Sequence, residues 1–168
     1  MKTTKHTFLL AVMALLLSTA GLQAQDYNLA AGARLGYPLS LSVKKSIGEG
    51  NAVEGILGYR GFVGYNWINV GAAYQRHTPI PDVVDGLNWY WGVGASVFLF
   101  NYDLGFGSDF NSTAFGVQGY LGLDYTFADA PINLTLDWVP TLFLGNDFVN
   151  GFGGGYGGIG VRYVIGQN

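Results

Sequence analysis

The chain has 168 residues, enough for one domain, with only 11% charged residues, 15% aromatics, 27 glycines and a formal net charge of −3. It has no cysteine, which excludes disulfides and thiolate metal sites, and so weak and acidic a balance gives no sign of nucleic acid as a partner, and none is expected. Little charge beside many aromatics and glycines suits a β protein that meets a medium other than water.

The N-terminus reads as an export signal. Lys2 and Lys5 precede an unbroken apolar run from Phe8 to Leu17, and a small-residue region ends at Leu22-Gln23-Ala24. That order is a secretory signal peptide cut after Ala24. The run is too short for a spanning helix, which needs about 20 apolar residues. The expected organisation is therefore a signal peptide over residues 1–24 and one β-barrel domain over 25–168.

Beyond Asp26 the hydrophobic pattern has a period of two. Leu29, Ala31, Ala33 and Leu35 alternate with Asn28, Ala30, Gly32 and Arg34 in the first strand. Leu39, Leu41 and Val43 alternate with Ser40, Ser42 and Lys44 in the second. The third sets Val53, Gly55, Leu57 and Tyr59 against Ala52, Glu54, Ile56 and Arg60. The fourth sets Ile68, Val70, Ala72 and Tyr74 against Asn69, Gly71, Ala73 and Gln75. The fifth runs from Trp89 to Leu99, the sixth from Phe115 to Phe127, the seventh from Ile132 to Trp138 and the eighth from Gly158 to Ile165. Turn-type residues separate them, at Gly36–Pro38, Gly48–Asn51, Pro79–Gly86, Gly105–Ser112, Asp129–Pro131 and Gly145–Gly155. Pro140 lies at an apolar position of the seventh strand, where it cannot donate to a ladder, so a bulge or a break in pairing is expected near Val139.

The two faces have opposite chemistry. The polar set carries Arg34, Lys44, Glu54, Asp124, Asp137 and Arg162, three cations against three anions; the apolar set is continuous and uncharged. An eight-stranded barrel has an interior just wide enough for side chains to fill. Glycine, serine and a few charges fit there, whereas rows of large apolar side chains from eight strands do not. The apolar face is therefore expected to point outward into lipid. The six charges should then form a paired network that plugs the lumen, because an unpaired buried charge is costly.

With the termini on the periplasmic side, the aromatics fall at two levels. Tyr27, Tyr74, Trp89, Trp91, Tyr125, Phe127 and Tyr163 lie near one rim, and Tyr37, Tyr59, Tyr65, Trp67 and Phe115 near the other. Two aromatic girdles flanking an aliphatic band match an interfacial belt. Backbone groups left unpaired in hydrocarbon cost several kcal/mol each, so the first strand must pair with the eighth.

Other motifs carry less. Gly153, Gly155 and Gly158 match G-x-G-x-x-G but lie between strands, with no helix to present to phosphate. His77 is the one histidine after Ala24 and is expected in the Arg76–Leu87 connection, with no serine nearby in sequence to make a nucleophile–base pair. Asp103, Asp109 and Asp147 read as solvated loop acids. No zinc or calcium spacing is present, and no cofactor is expected.

Signal peptide, eight alternating strands and aromatic-flanked apolar belt together resemble the small OmpA/OmpX-type outer-membrane barrels. The resemblance covers the whole of residues 25–168, including segments such as Ala52–Gly58 and Pro131–Trp138. It implies an eight-stranded antiparallel up-and-down transmembrane barrel in the bacterial outer membrane, with lipid and the barrel-assembly machinery as partners and a monomeric state. Gly160, Tyr163 and Ile165 approximate the closing-strand signal that such machinery reads. The function expected is structural or surface interaction, displayed on loops near 60–66, 101–113 and 145–155, and not enzymatic. The alternatives are a narrow ion-conducting pore, a lipid-modifying enzyme and a soluble ligand-binding barrel.

Overall fold

The computed structural model describes residues 27–103, 109–145 and 150–167; the signal segment expected over residues 1–24 lies outside them. Ten strand segments follow in chain order: β1 (Tyr27–Tyr37), β2 (Leu39–Gly48), β3 (Asn51–Phe62), β4 (Tyr65–Pro79), β5 (Leu87–Asp103), β6 (Asp109–Thr126), β7 (Ile132–Trp138), β8 (Thr141–Leu144), β9 (Gly151–Gly153) and β10 (Gly157–Gln167). β7 and β8 are two parts of one stave, as are β9 and β10, so the sheet has eight staves. Each pairs antiparallel with its chain neighbours, and β1 pairs with β10 to close the barrel.

The closure is staggered. Following paired residues once round the wall leads from Leu134 through Val161, Ala33, Leu41, Leu57, Val70, Val97 and Phe115 to Leu144, ten residues further along the same stave. For eight staves such a shear tilts the strands by about 40°. Every residue on that path faces outward and is apolar, so the hydrogen-bond ladder itself lays down a continuous greasy spiral.

Exposure confirms which face is which. Leu41, Val70, Val93, Phe115, Leu121, Leu136 and Ile159 are each at least half exposed, while Lys44, Glu54, Asp124 and Arg162 are at most 1% exposed. Water inverts this arrangement in ordinary soluble domains; an uninterrupted apolar wall of this extent requires hydrocarbon around it.

Pro140 interrupts the seventh stave, which loses regular structure between Trp138 and Thr141. Its carbonyl still accepts from the Gly119 N–H, at 2.9 Å, and the register against β6 is the same on both sides of it. The irregularity falls on the opposite neighbour, where Gly154–Tyr156 face only Val139 and Pro140 and the register against the last stave slips by one residue. The proline therefore costs one ladder bond, and a bulge in the glycine-rich partner takes up the mismatch.

Several connections are shorter than the sequence suggests. Pro38 alone separates β1 from β2. Glu49 and Gly50, both at positive φ, make a two-residue hairpin of the primed type. Phe62 pairs with Tyr65, so the loop expected near 60–66 is a tight turn at Val63-Gly64. Strands β5 and β6 continue in register to Asp103↔Asp109, so most of the expected 101–113 loop is ladder. Polar strand ends such as Asn101, Ser112 and Thr113 hide this extension, because they read as turn composition.

A charge placed mid-wall should be far more damaging than one at its rim. Val117→Arg, near the middle of β6, is expected to lower the unfolding free energy in phospholipid vesicles by about 2–4 kcal/mol, and Asn101→Arg, near the end of β5, by under about 1 kcal/mol. Denaturant titration of both variants checks this; equal costs would mean that the outer face does not sit in hydrocarbon.

Candidate functional site: the filled lumen

Inward positions converge on the barrel axis from every stave; six charged ones lie in the half nearer the chain termini, and Arg60 lies toward the other end, over Tyr37. Glu54 on β3 is the hub. It accepts from Arg162 Nη2 on β10, from Gln75 Nε2 at 2.6 Å and from Arg34 Nη1 at 3.4 Å. Arg34 reaches across to Asp137 Oδ1 at 2.5 Å, and the other oxygen of Asp137 accepts from the Tyr90 hydroxyl at 2.5 Å. Arg162 also donates to Ser42 Oγ at 2.7 Å, Thr135 Oγ1 at 3.0 Å and Asn133 Oδ1 at 3.3 Å.

Asn133 links this hub to a second centre. Its amide donates to Asp124 Oδ1 at 2.6 Å, and Lys44 Nζ reaches Asp124 Oδ2 at 2.9 Å. Lys44 also lies 4.7 Å from the centre of the Tyr90 ring, a cation–π contact. All six charges thus belong to one connected network, three cations against three carboxylates. Sheet neighbours are not the ion-pair partners: Lys44 is in register with Glu54, yet Lys44 binds Asp124 and Glu54 binds Arg162. Each pair crosses the lumen, an arrangement set by the ten-residue stagger and not by sequence spacing.

Gly160 makes room for this packing. A Cβ there would collide with Thr135 Oγ1 and sit 2.9 Å from Arg162 Nη1. The glycine beside Arg162 is what lets the guanidinium fold along the wall to reach Glu54.

His77 is a member of the site that sequence reasoning missed. It lies within β4, not in the following connection, because β4 continues to Pro79. Its ring is buried, with Nε2 3.4 Å from Asp124 Oδ2 and 3.5 Å from Lys44 Nζ, and it stacks on Tyr90 with ring centres 4.9 Å apart. The signal was present in the parity: His77 is two residues beyond Gln75, on the polar set. Tyr90 and Tyr120 were likewise legible as inward by parity, though not as partners of Asp137 and Arg34.

The half of the lumen away from the termini is filled differently. Trp67, Phe98, Phe100 and Phe143 are buried there and pack with Tyr37, Tyr65 and Tyr156. Phe98 meets Phe143 edge-on at 4.9 Å, Trp67 lies 5.4 Å from Phe98, and Tyr156 sits 5.6 Å from Phe143 and 5.1 Å from Tyr37. Offset and T-shaped pairs of this kind stabilise one another beyond their burial. Gly116 accommodates them, since a Cβ there would fall 2.7 Å from Phe98 Cε2.

This corrects the placement of Trp67, expected in the outer girdle but only 1% exposed inside the barrel. It shares parity with Asn69, an inward residue, so alternation overrides the general preference of tryptophan for the interface. Tyr37 also leaves the expected girdle and folds over the barrel mouth against Trp67 and Tyr156. Tyr59, Tyr74, Phe115 and Tyr163 are exposed on the outer wall. Trp89, Trp91, Tyr125 and Phe127 are half-buried, the last two in edge contact at 4.7 Å. Tyr27 begins β1, and its side chain is outside the described residues. Asp103, Asp109 and Asp147 are likewise not described at side-chain level.

Between the two fillings lies a cavity of about 30 Å³ bordered by Arg34, Ser40, Asn69, Gln118 and Tyr120. That is room for a few waters at most.

No protein-family model matches the chain, and no curated protein is significantly similar to it. Among solved structures, the crystal structure of Neisserial surface protein A (NspA) superposes with a TM-score of 0.61 at 18% identity, covering 82% of this chain and 93% of that one. The N-terminal β-barrel domain of Pseudomonas aeruginosa OprF gives 0.62 at 14% identity, covering 84% of this chain and 100% of that one. Both are eight-stranded outer-membrane barrels, and this chain shares their fold: an all-β, closed, antiparallel barrel of eight staves.

Removing the hub should expose the cost of burying its partners. Glu54→Leu removes the carboxylate that Arg162 Nη2 donates to and is expected to destabilise the barrel by about 3–5 kcal/mol, whereas the double variant Glu54→Leu/Arg162→Met should regain much of that loss. Unfolding of the single and double variants in the same vesicles measures the coupling; strictly additive costs would mean that the two side chains do not depend on one another.

Proposed function

We propose that this closed barrel is a structural or surface-interaction protein of the bacterial outer membrane, exported behind the segment 1–24 and inserted by the barrel-assembly machinery. One observation supports this reading above the others. The lumen is filled at two successive levels, ionic and then aromatic, and the space between them holds about 30 Å³. A conducting pore needs a continuous file of water, and two stacked fillings with so small a space between them argue against one. The protein's interactions then belong to its outer wall and to the connections beyond β5 and β8, since the turns at Pro38 and Val63-Gly64 are too tight to reach a partner.

The pore reading and the enzyme reading make different demands. A pore would need the six charges to line water instead of one another. A lipid-modifying enzyme using His77 would need that ring at the membrane face, whereas it is 3% exposed between Tyr90, Lys44 and Asp124.

Fractionation and planar-bilayer recording test the proposal together. The protein is expected in the outer-membrane fraction, with a heat-dependent gel shift and no steady single-channel conductance. A steady conductance that falls on Glu54→Gln or Asp137→Asn would overturn the closed-lumen reading. Recovery in the soluble periplasm without a gel shift would overturn the membrane assignment. Lipid A masses should be the same with wild-type protein, with His77→Ala and without expression.

A further inference from the structure

Among the side chains described, the outer wall is charged at one place. Among the charged side chains described in the strands, the six of the lumen network and Arg60 take inward positions. Lys45 on β2 and Arg76 on β4 alone take outward ones, and both are cations. Both lie near the end of the barrel that carries the chain termini, Lys45 in register with Val53 and, through it, with Tyr74, and Arg76 directly paired with Asn51. Neither is within ion-pair reach of a carboxylate among the described residues.

Arg76 is held in place from the side. Its Nη1 lies 3.4 Å from Asn51 Oδ1, which also accepts from the Tyr74 hydroxyl at 2.7 Å. On the next stave Trp91 is paired with Arg76, and Trp89 lies one outward position nearer the rim. Two unneutralised cations framed by a tyrosine and two tryptophans thus stand at headgroup depth. Long basic side chains at that depth carry their charge to the interface, and amphipathic rings settle there.

Directly inward from this cluster, toward the middle of the wall, the next outward row holds Gly55, Ala72 and Ala95, in register with one another. Larger residues border it: Val53, Tyr74 and Val93 on one side, and Leu57, Val70 and Val97 on the other. The row is a shallow apolar trough leading away from the cations. A Cβ built at Gly55 meets nothing nearer than 4.0 Å.

We propose that Lys45 and Arg76 form a binding site for an anionic diacyl phospholipid, with its phosphate between the two cations and an acyl chain along the Gly55–Ala72–Ala95 trough. Charge decides the occupant. Two cations with no carboxylate in reach among the described residues gain nothing toward a zwitterionic headgroup, whose own ammonium repels them, but attract a headgroup with net negative charge. The guanidinium contributes paired donors for phosphate oxygens and the ammonium a mobile point charge. The inference rests on the barrel spanning a membrane, and its test separates the two.

The probe is native mass spectrometry of the detergent-purified protein, incubated with equimolar phosphatidylglycerol and phosphatidylcholine of the same acyl chains. Wild type is expected to retain phosphatidylglycerol at least about tenfold over phosphatidylcholine, and K45Q/R76Q to lose that preference. K45R/R76K should keep it, and A72L, which fills the trough without touching charge, should reduce retention several-fold. The heat-dependent gel shift of each variant reports the folded barrel independently. Equal retention of the two lipids by wild type, or undiminished preference in K45Q/R76Q, would overturn the site while leaving the membrane barrel intact. Competition by soluble glycerol 3-phosphate at concentrations equal to the lipid would overturn the lipid assignment and leave a phosphate site. Loss of the gel shift in wild type itself would defeat the underlying reading instead.

Discussion

A polypeptide backbone in hydrocarbon must find all its hydrogen-bond partners within the protein, and a sheet meets that demand only by closing on itself. The pairing of β1 with β10 is the contact through which this chain does so. Eight staves and a ten-residue stagger then fix the tilt of the strands and the width of the lumen. Once those are set, alternation assigns every side chain to one of two environments, lipid or a narrow dry interior. The chemistry of both faces follows from the closure.

The interior solves a packing problem with two kinds of material. Toward the termini, carboxylates, guanidiniums and one ammonium satisfy one another across the axis, with Gln75, Asn133, Ser42, Thr135 and Tyr90 taking up remaining donors and acceptors. Toward the other end the filling is aromatic, and its rings interlock, with Arg60 stacked over Tyr37 at the mouth. A buried ion pair is weak support for stability in general, because desolvation offsets much of its attraction. Here the alternative for each partner is a lone charge in a low-dielectric lumen, so the network acts mainly by making other registers costly. A slip of one residue would send Glu54 or Arg162 into lipid.

Much of this was legible in the sequence, and what was not has identifiable causes. Strict alternation located the eight staves and the inward set, including all six charges, because period two is imposed by the strand itself. The pairing among those charges was not legible, because partners sit on opposite walls and depend on the stagger, which no single strand records. The aromatic filling was hidden where both faces are apolar: in Val97-Phe98-Leu99-Phe100 alternation of polarity vanishes, although parity with Ser96 still turns Phe98 and Phe100 inward. Trp67 was misplaced because a general preference of tryptophan for the interface was set above its parity with Asn69. The Pro140 irregularity was visible in outline. Its relief by a bulge in Gly154–Tyr156 was not, because it lies on the neighbouring stave.

The outer wall and the lumen are therefore two readings of one ladder, and the account stands or falls on their inversion relative to a soluble barrel. The chain has no native cysteine, so single nitroxides can be placed along β6 in lipid vesicles without background. The most direct measurement compares their collision with oxygen and with a water-soluble nickel chelate. Labels at Phe115, Val117, Leu121 and Leu123 should collide strongly with oxygen and hardly with nickel, and labels at Ser112 and Gln118 with neither. Strong nickel collision at Gln118, with oxygen excluded from Val117 and Leu121, would mean that the greasy face is the buried one and would contradict the account.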